Sequence, residues 1–180
     1  ATDPGAKAVT RVEGPTSSYI YTYISAAYAD VTSSLYNFSE SDIVVTTFDA
    51  AGDFLYIGGT SPFQAVYFYG SVYNITARAL KFEVGQTDGS YLTVTTSIRD
   101  LTNTRTTGSD IPLGKDGIIA FMRDPVNTHN WAKTSVNGQS AYWLRISSPA
   151  GALRAGTSWT AIGLVPWYPP ANSTISGDGI

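Results

Sequence analysis

Hydrophobic residues in this chain fall in short runs in which apolar and polar positions alternate. After the Pro15 turn, Tyr19, Tyr21 and Tyr23 alternate with Ile20, Thr22 and Ile24, and a period of two sends successive side chains to opposite faces of a strand. Further apolar or β-branched runs lie at 43–48, 54–57, 65–69, 79–84, 91–98, 117–122, 141–146 and 159–165. The breaks between them hold Ala51-Gly52-Asp53, Gly58-Gly59, Asp88-Gly89, Lys115-Asp116-Gly117 and Asn137-Gly138, residues able to supply the positive φ of tight hairpin turns. Helical periodicity is weak; only residues 25–30 (SAAYAD) and the stretch after Asp124 suit a turn or two of helix. Strands this short bury their apolar faces only against a second sheet, so the pattern predicts an all-β, antiparallel β-sandwich of jelly-roll-like form.

At 180 residues the chain suits one domain with a sizeable core. Residues 19–165 are expected to form that domain. Residues 1–18 mix Pro, Gly, Thr and charge and read as an extended N-terminal arm, and 166–180 read as a Pro-rich C-terminal arm carrying Trp167 and Tyr168. Proline holds such a segment extended and withholds backbone donors, which suits a tail lying on a surface.

Composition narrows the chemistry. Charged residues make up 14% of the chain against a usual value of about 25%, so solubility rests on Ser, Thr, Asn and Gly. A net charge of −3 provides no basic field for phosphate backbones, and nucleic acid is not an expected partner. With no Cys and a single His, disulfides, Cys-ligated zinc and sites needing two imidazoles are ruled out. No run approaches the roughly 20 apolar residues of a membrane helix, and the first fifteen residues lack the apolar core of a signal peptide; no membrane partner is expected.

Candidate catalytic groups form no recognisable constellation. The polar stretch from Asp124 through Asn127 to His129 matches no calcium or zinc loop, and His129 reads as a surface-loop histidine. Glu83, Asp88, Asp100 and Asp116 are the carboxylates that a glycosidase reading would draw on. Neither a G-x-S-x-G elbow nor a P-loop occurs. No catalytic residue, metal ligand or cofactor is expected. Sequons at Asn37, Asn74 and Asn172 are of the kind that arise by chance in a chain rich in Ser and Thr. Aromatics are the positive signal: Tyr67 and Tyr69 share one strand face while Val66 and Phe68 share the other, making the two tyrosines candidate assembly contacts alongside Trp167 and Tyr168.

The segment Asn130-Trp131-Ala-Lys-Thr-Ser-Val136-Asn137-Gly138-Gln-Ser-Ala-Tyr142-Trp143-Leu144-Arg145-Ile146 resembles one that recurs in virion proteins of tailed bacteriophages, where a Trp and a short linker lead through V-N-G to Y-W-[IL]-R. Trp131, Asn137, Gly138, Tyr142, Trp143 and Arg145 carry the likeness. Upstream, Tyr56-Ile57-Gly58, 62–68, Leu80-Lys81-Phe82-Glu83, Asp100-Leu101-Thr102 and 117–121 are similar in kind and order, so the resemblance covers residues 53–150. The chain departs from it after Glu83, where Val84-Gly85-Gln86 stands in place of an aromatic pair. The resemblance implies a non-enzymatic structural part of a virion, a capsid decoration or tail-associated protein, partnered by other virion proteins and by copies of itself. A carbohydrate-binding module, with Trp or Tyr platforms meeting surface glycans, is the alternative. The residues themselves read as fold-builders: Asn137-Gly138 makes a tight turn, Trp131 and Trp143 are expected to be buried, Trp143 and Ile146 face opposite sides, and Arg145, opposite in face to Leu144, pairs at a sheet edge.

Overall fold

A computed structural model describes residues 18–36, 44, 45, 48, 52–106, 109–122 and 125–166. Its elements in chain order are β1 (Ser18–Ile24), β2 (Ala27–Asp30), α1 (Thr32–Tyr36), β3 (Val44–Val45), β4 (Phe54–Gly59), β5 (Phe63–Val72), β6 (Lys81–Gly85) and β7 (Tyr91–Thr93). They continue with β8 (Ile98–Asp100), β9 (Thr104–Thr106), β10 (Ser109–Ile111), β11 (Gly117–Phe121), α2 (Pro125–His129), β12 (Lys133–Val136), β13 (Gln139–Ser147) and β14 (Ser158–Pro166). Among the described residues every strand pairing is antiparallel.

Two sheets result. One has seven strands in the order β2-β1-β4-β13-β6-β7, with β12 also paired to β13; the other has five in the order β3-β14-β5-β11-β8. Alternation decides which side chains lie between them. Ile20, Leu55, Ile57, Phe82, Val84, Leu144 and Ile146 of the first sheet share one core with Val66, Phe68, Ile119, Phe121, Trp159 and Ile162 of the second. The chain is therefore an all-β sandwich, as the period of two requires once each sheet has an apolar face to hide. Helix α1 places fully buried Leu35 in this core.

Several local expectations change. Residues 25–30 are not helical: Ser25 and Ala26, at φ 53 and 64, form a two-residue turn into β2, and the Asp53 carboxylate braces it by accepting from the Ser25 amide at 3.1 Å. Gly58-Gly59 is no turn but the end of β4. The 91–98 run is not one strand, because β7 belongs to the seven-stranded sheet and β8 to the five-stranded one, the chain crossing between layers at buried Val94 and Ser97. Ser18 belongs to β1 and Pro166 to β14, so each boundary residue of the expected arms lies in a strand. The rest of both arms, with Trp167 and Tyr168, and the sequons at Asn37 and Asn172 lie outside the described residues.

Candidate functional site

The residues that carry the sequence likeness come together, and they build structure. Asn137 and Gly138, at φ 47 and 79, form the two-residue turn that joins β12 to β13 in register, Val136 opposite Gln139. Trp131 is buried in the main core, its ring edge-on to Phe63 at 4.7 Å and to Tyr142 at 5.9 Å. Trp143, on β13, lies on the opposite side of the seven-stranded sheet and is also fully buried. What covers it is a second apolar cluster on the outer face: Tyr21, Tyr56, Val136 and Ala141, with Tyr19, Tyr23, Phe54 and Tyr91 packed against them. Gly58 makes room for the indole, since a Cβ there would lie 2.5 Å from the ring.

This outer aromatic layer is organised around an ion pair whose carboxylate is buried and whose arginine is half-buried. Tyr21, Tyr56, Arg145 and Glu83 stand in one row across β1, β4, β13 and β6. Arg145 Nε donates to Glu83 Oε2 at 2.8 Å, and Lys81 Nζ lies 2.8 Å from the other carboxylate oxygen. The guanidinium is held over two rings, 3.9 Å from the Tyr91 centroid and 4.5 Å from that of Phe54, a cation–π arrangement that offsets part of its desolvation. Burial pushes the Glu83 carboxyl up, but the bonds from Arg145 and Lys81 outweigh it and leave it below the ordinary range. Burial likewise drives the Tyr56 hydroxyl up to about 12, although the positive charge of Arg145 opposes the rise. The expected placement of Arg145 at a sheet edge is corrected here: β13 is an interior strand with β4 and β6 beside it.

Neighbouring rings on this face are tilted to one another by 32° to 90°, so they interlock as a core does and present no flat strip. Its open end is at Tyr28, exposed on edge strand β2 and 4.6 Å from Tyr23, ring to ring. On the outer face of the other sheet, Tyr67 is half-buried and Tyr69 exposed, while Val66 and Phe68 beneath them are fully buried. Next to them, Asp116 accepts from the Gly70 amide at 2.7 Å and the Tyr73 hydroxyl at 3.0 Å. Burial, reinforced by Asp116, raises the Tyr73 hydroxyl to about 12.

His129 is not a surface-loop residue. It ends α2 and is buried, its Nε2 hydrogen-bonded to buried Ser97 Oγ, with Phe121 alongside at 6.2 Å. Burial keeps its pKa below the ordinary imidazole value. Among the described residues no carboxylate bonds the imidazole, so a Ser–His pair is present without the third group that orients a general base. The four carboxylates of the glycosidase reading go to separate duties. Glu83 is in the ion pair, Asp88 accepts from the Ser90 amide in the β6–β7 turn, and Asp100 accepts from both the amide and the hydroxyl of Thr102. Asp116 is committed to Gly70 and Tyr73. Among the described residues no three potential metal-ligating side chains cluster, and no helix is long and apolar enough to cross a membrane.

Asn74 is a residue whose structural importance sequence reasoning missed. Its side chain is buried and makes four bonds, donating to the Thr76 and Pro112 carbonyls at 2.8 and 2.9 Å and accepting from the Thr76 and Arg154 amides at 3.0 and 2.9 Å. A carboxamide used this fully cannot serve as a glycan acceptor in the folded chain. The sequon that contains it reports nothing about burial, so the sequence held no signal of this role. Comparison with protein-family models, with curated proteins and with solved structures returns no significant match to this chain.

Proposed function

We propose that this chain is a non-enzymatic structural component of a tailed-phage virion, a capsid decoration or tail-associated protein that assembles with copies of itself and with other virion proteins. The observation that carries this reading is the aromatic outer face of the seven-stranded sheet running out to an exposed edge. All four residues of β2 are exposed, and Tyr28 there is continuous with Tyr23, Phe54 and Tyr56. Tyrosine beside a half-buried arginine is a pairing enriched at interface centres. An edge strand adds free backbone donors and acceptors for a neighbouring chain. The likeness of the Trp131–Arg145 segment to virion proteins names the kind of assembly. Tyr67 and Tyr69 on the opposite surface, with Trp167 and Tyr168 of the tail, are assigned to contacts with other subunits.

Electron micrographs of particles assembled with and without the protein test this reading. Loss of a defined density or of a tail feature is the expected result. Particles identical in structure and protein content in both preparations overturn it. Tyr28→Ala should lower occupancy on particles while leaving the melting temperature near that of the parent. Removal of residues 167–180 should leave a folded monomer that no longer joins them; undiminished occupancy would remove the tail from the proposal.

A further inference from the structure

A cleft of about 460 Å³ opens at the side of the sandwich, between the 77–82 segment leading into β6 and the β9–β10 hairpin. That volume falls within the roughly 300–1,000 Å³ of small-molecule sites. Its apolar surface comes from Leu80, Phe82 and Pro112, its polar groups from Arg78, Asn103, Ser109 and Asp110. Phe82 belongs to the main core, so the cleft is a place where the hydrophobic interior reaches the surface. The two walls are tied together from behind by the buried Asn74 carboxamide, which bonds the Thr76 carbonyl on one side and the Pro112 carbonyl on the other.

We infer that this cleft binds a neutral saccharide unit. The polar groups include one cationic and one anionic side chain, Arg78 and Asp110, which favours an uncharged ligand over a phosphate or an ammonium group. An apolar floor with donors and acceptors around it matches a pyranose, which has a C–H face and a rim of hydroxyls that both donate and accept. Arg78 is exposed and donates through Nη1 to the adjacent Ala77 carbonyl at 3.3 Å; a guanidinium has five N–H groups, so others remain for ligand oxygens. Asn103 supplies the acceptor. Among the described residues its buried Oδ1 has no hydrogen-bond partner, and its Nδ2 is held by a single long bond of 3.4 Å to the Asp100 carbonyl. An unpaired buried acceptor is costly, so turning the amide into the cleft to meet a sugar hydroxyl gains a bond and gives up a weak one. The interlocked outer face lacks the flat ring surface that sugar stacking needs, and the cleft has both floor and rim. The inference is independent of the virion proposal, because it concerns what one subunit binds wherever that subunit resides.

Titration of the ¹⁵N-labelled protein with glucose, galactose, mannose and N-acetylglucosamine, followed by amide chemical shifts, tests it. At least one sugar should move the signals of residues 77–82, 103 and 109–111 together. Arg78→Ala should weaken that sugar about tenfold or more, the loss expected for a charge-assisted bond, and Leu80→Trp should abolish binding by filling the cleft. Arg78 is exposed, so its variant decides the matter even if Leu80→Trp fails to fold. No shift with any of the four sugars overturns the inference. So do shifts confined to Tyr23, Tyr28 and Phe54, or an unchanged Kd for that sugar in Arg78→Ala.

Discussion

Trp131 donates its indole N–H to the backbone carbonyl of Trp143 at 3.0 Å. Trp143 in turn donates to the Thr134 carbonyl, also at 3.0 Å. The two indoles lie on opposite sides of the seven-stranded sheet, one in the main core and one in the outer aromatic layer. The backbone of β13 is thus gripped from one face while its side chain fills the other, and the two cores are coupled through one residue. Trp143→Ala should cost roughly 3–5 kcal/mol, as for other fully buried aromatics. Trp143→Phe keeps most of the ring but leaves the Thr134 carbonyl short of a donor, and should cost less than the alanine variant. Urea unfolding of the three proteins checks the order.

Gly58 and Trp143 are direct partners across β4 and β13. Gly58→Ala would press a methyl against the indole and should destabilise by about 1–3 kcal/mol. Combining it with Trp143→Phe should cost less than the sum of the two single changes, because the smaller ring relieves the clash. Strict additivity in a double-mutant cycle would refute the packing described here.

The ion pair has a signed dependence on pH. The folded Glu83 carboxyl lies below its ordinary value of 4.5, so its contribution to stability is complete above that value and is lost as the pH falls through the folded one. Glu83→Gln should flatten the acid limb of a plot of melting temperature against pH. Arg145→Met strands a buried carboxylate with Lys81 alone and should cost about 3 kcal/mol at neutral pH.

His129 is the chain's single imidazole, and its folded pKa is depressed by burial below 6.5. Between the two values the unfolded chain binds the proton and the folded chain does not, so stability is full above 6.5 and declines as the pH drops toward the folded value. His129→Gln should remove that slope in denaturant titrations run across the window, at some cost in stability at neutral pH from the altered bond to Ser97.

Ala26 holds φ at 64 in the β1–β2 turn, where a Cβ is unfavourable and glycine is not. Ala26→Gly should raise stability by about 1 kcal/mol, visible as a higher urea midpoint with unchanged slope.

Sequence alone determined the parts of this protein that depend on neighbours along the chain. The alternation of Tyr19–Ile24 makes β1 two-faced, Asn137-Gly138 closes β12 onto β13, and 65–69 separates buried Val66 and Phe68 from the more exposed Tyr67 and Tyr69. Those outcomes follow from backbone geometry and turn sterics, which are local. Tertiary structure decided everything that depends on what lies across the sheet. Gly58-Gly59 reads as a turn until Trp143 arrives opposite Gly58 and needs the space. SAAYAD reads as helix until β1 offers an edge with which Ala27–Asp30 can pair. His129 reads as a surface residue and Asn74 as part of an incidental sequon, because polarity is the only clue a sequence holds to exposure. The fold buries them by giving their polar atoms partners from distant segments, Ser97 for one, and Pro112 and Arg154 for the other. The outer aromatic layer is the largest of these decisions: its residues come from β1, β4, β7, β12 and β13, and no stretch of sequence holds them together. Only the register of the seven-stranded sheet makes tyrosines scattered over seventy-odd positions into a second core around one arginine.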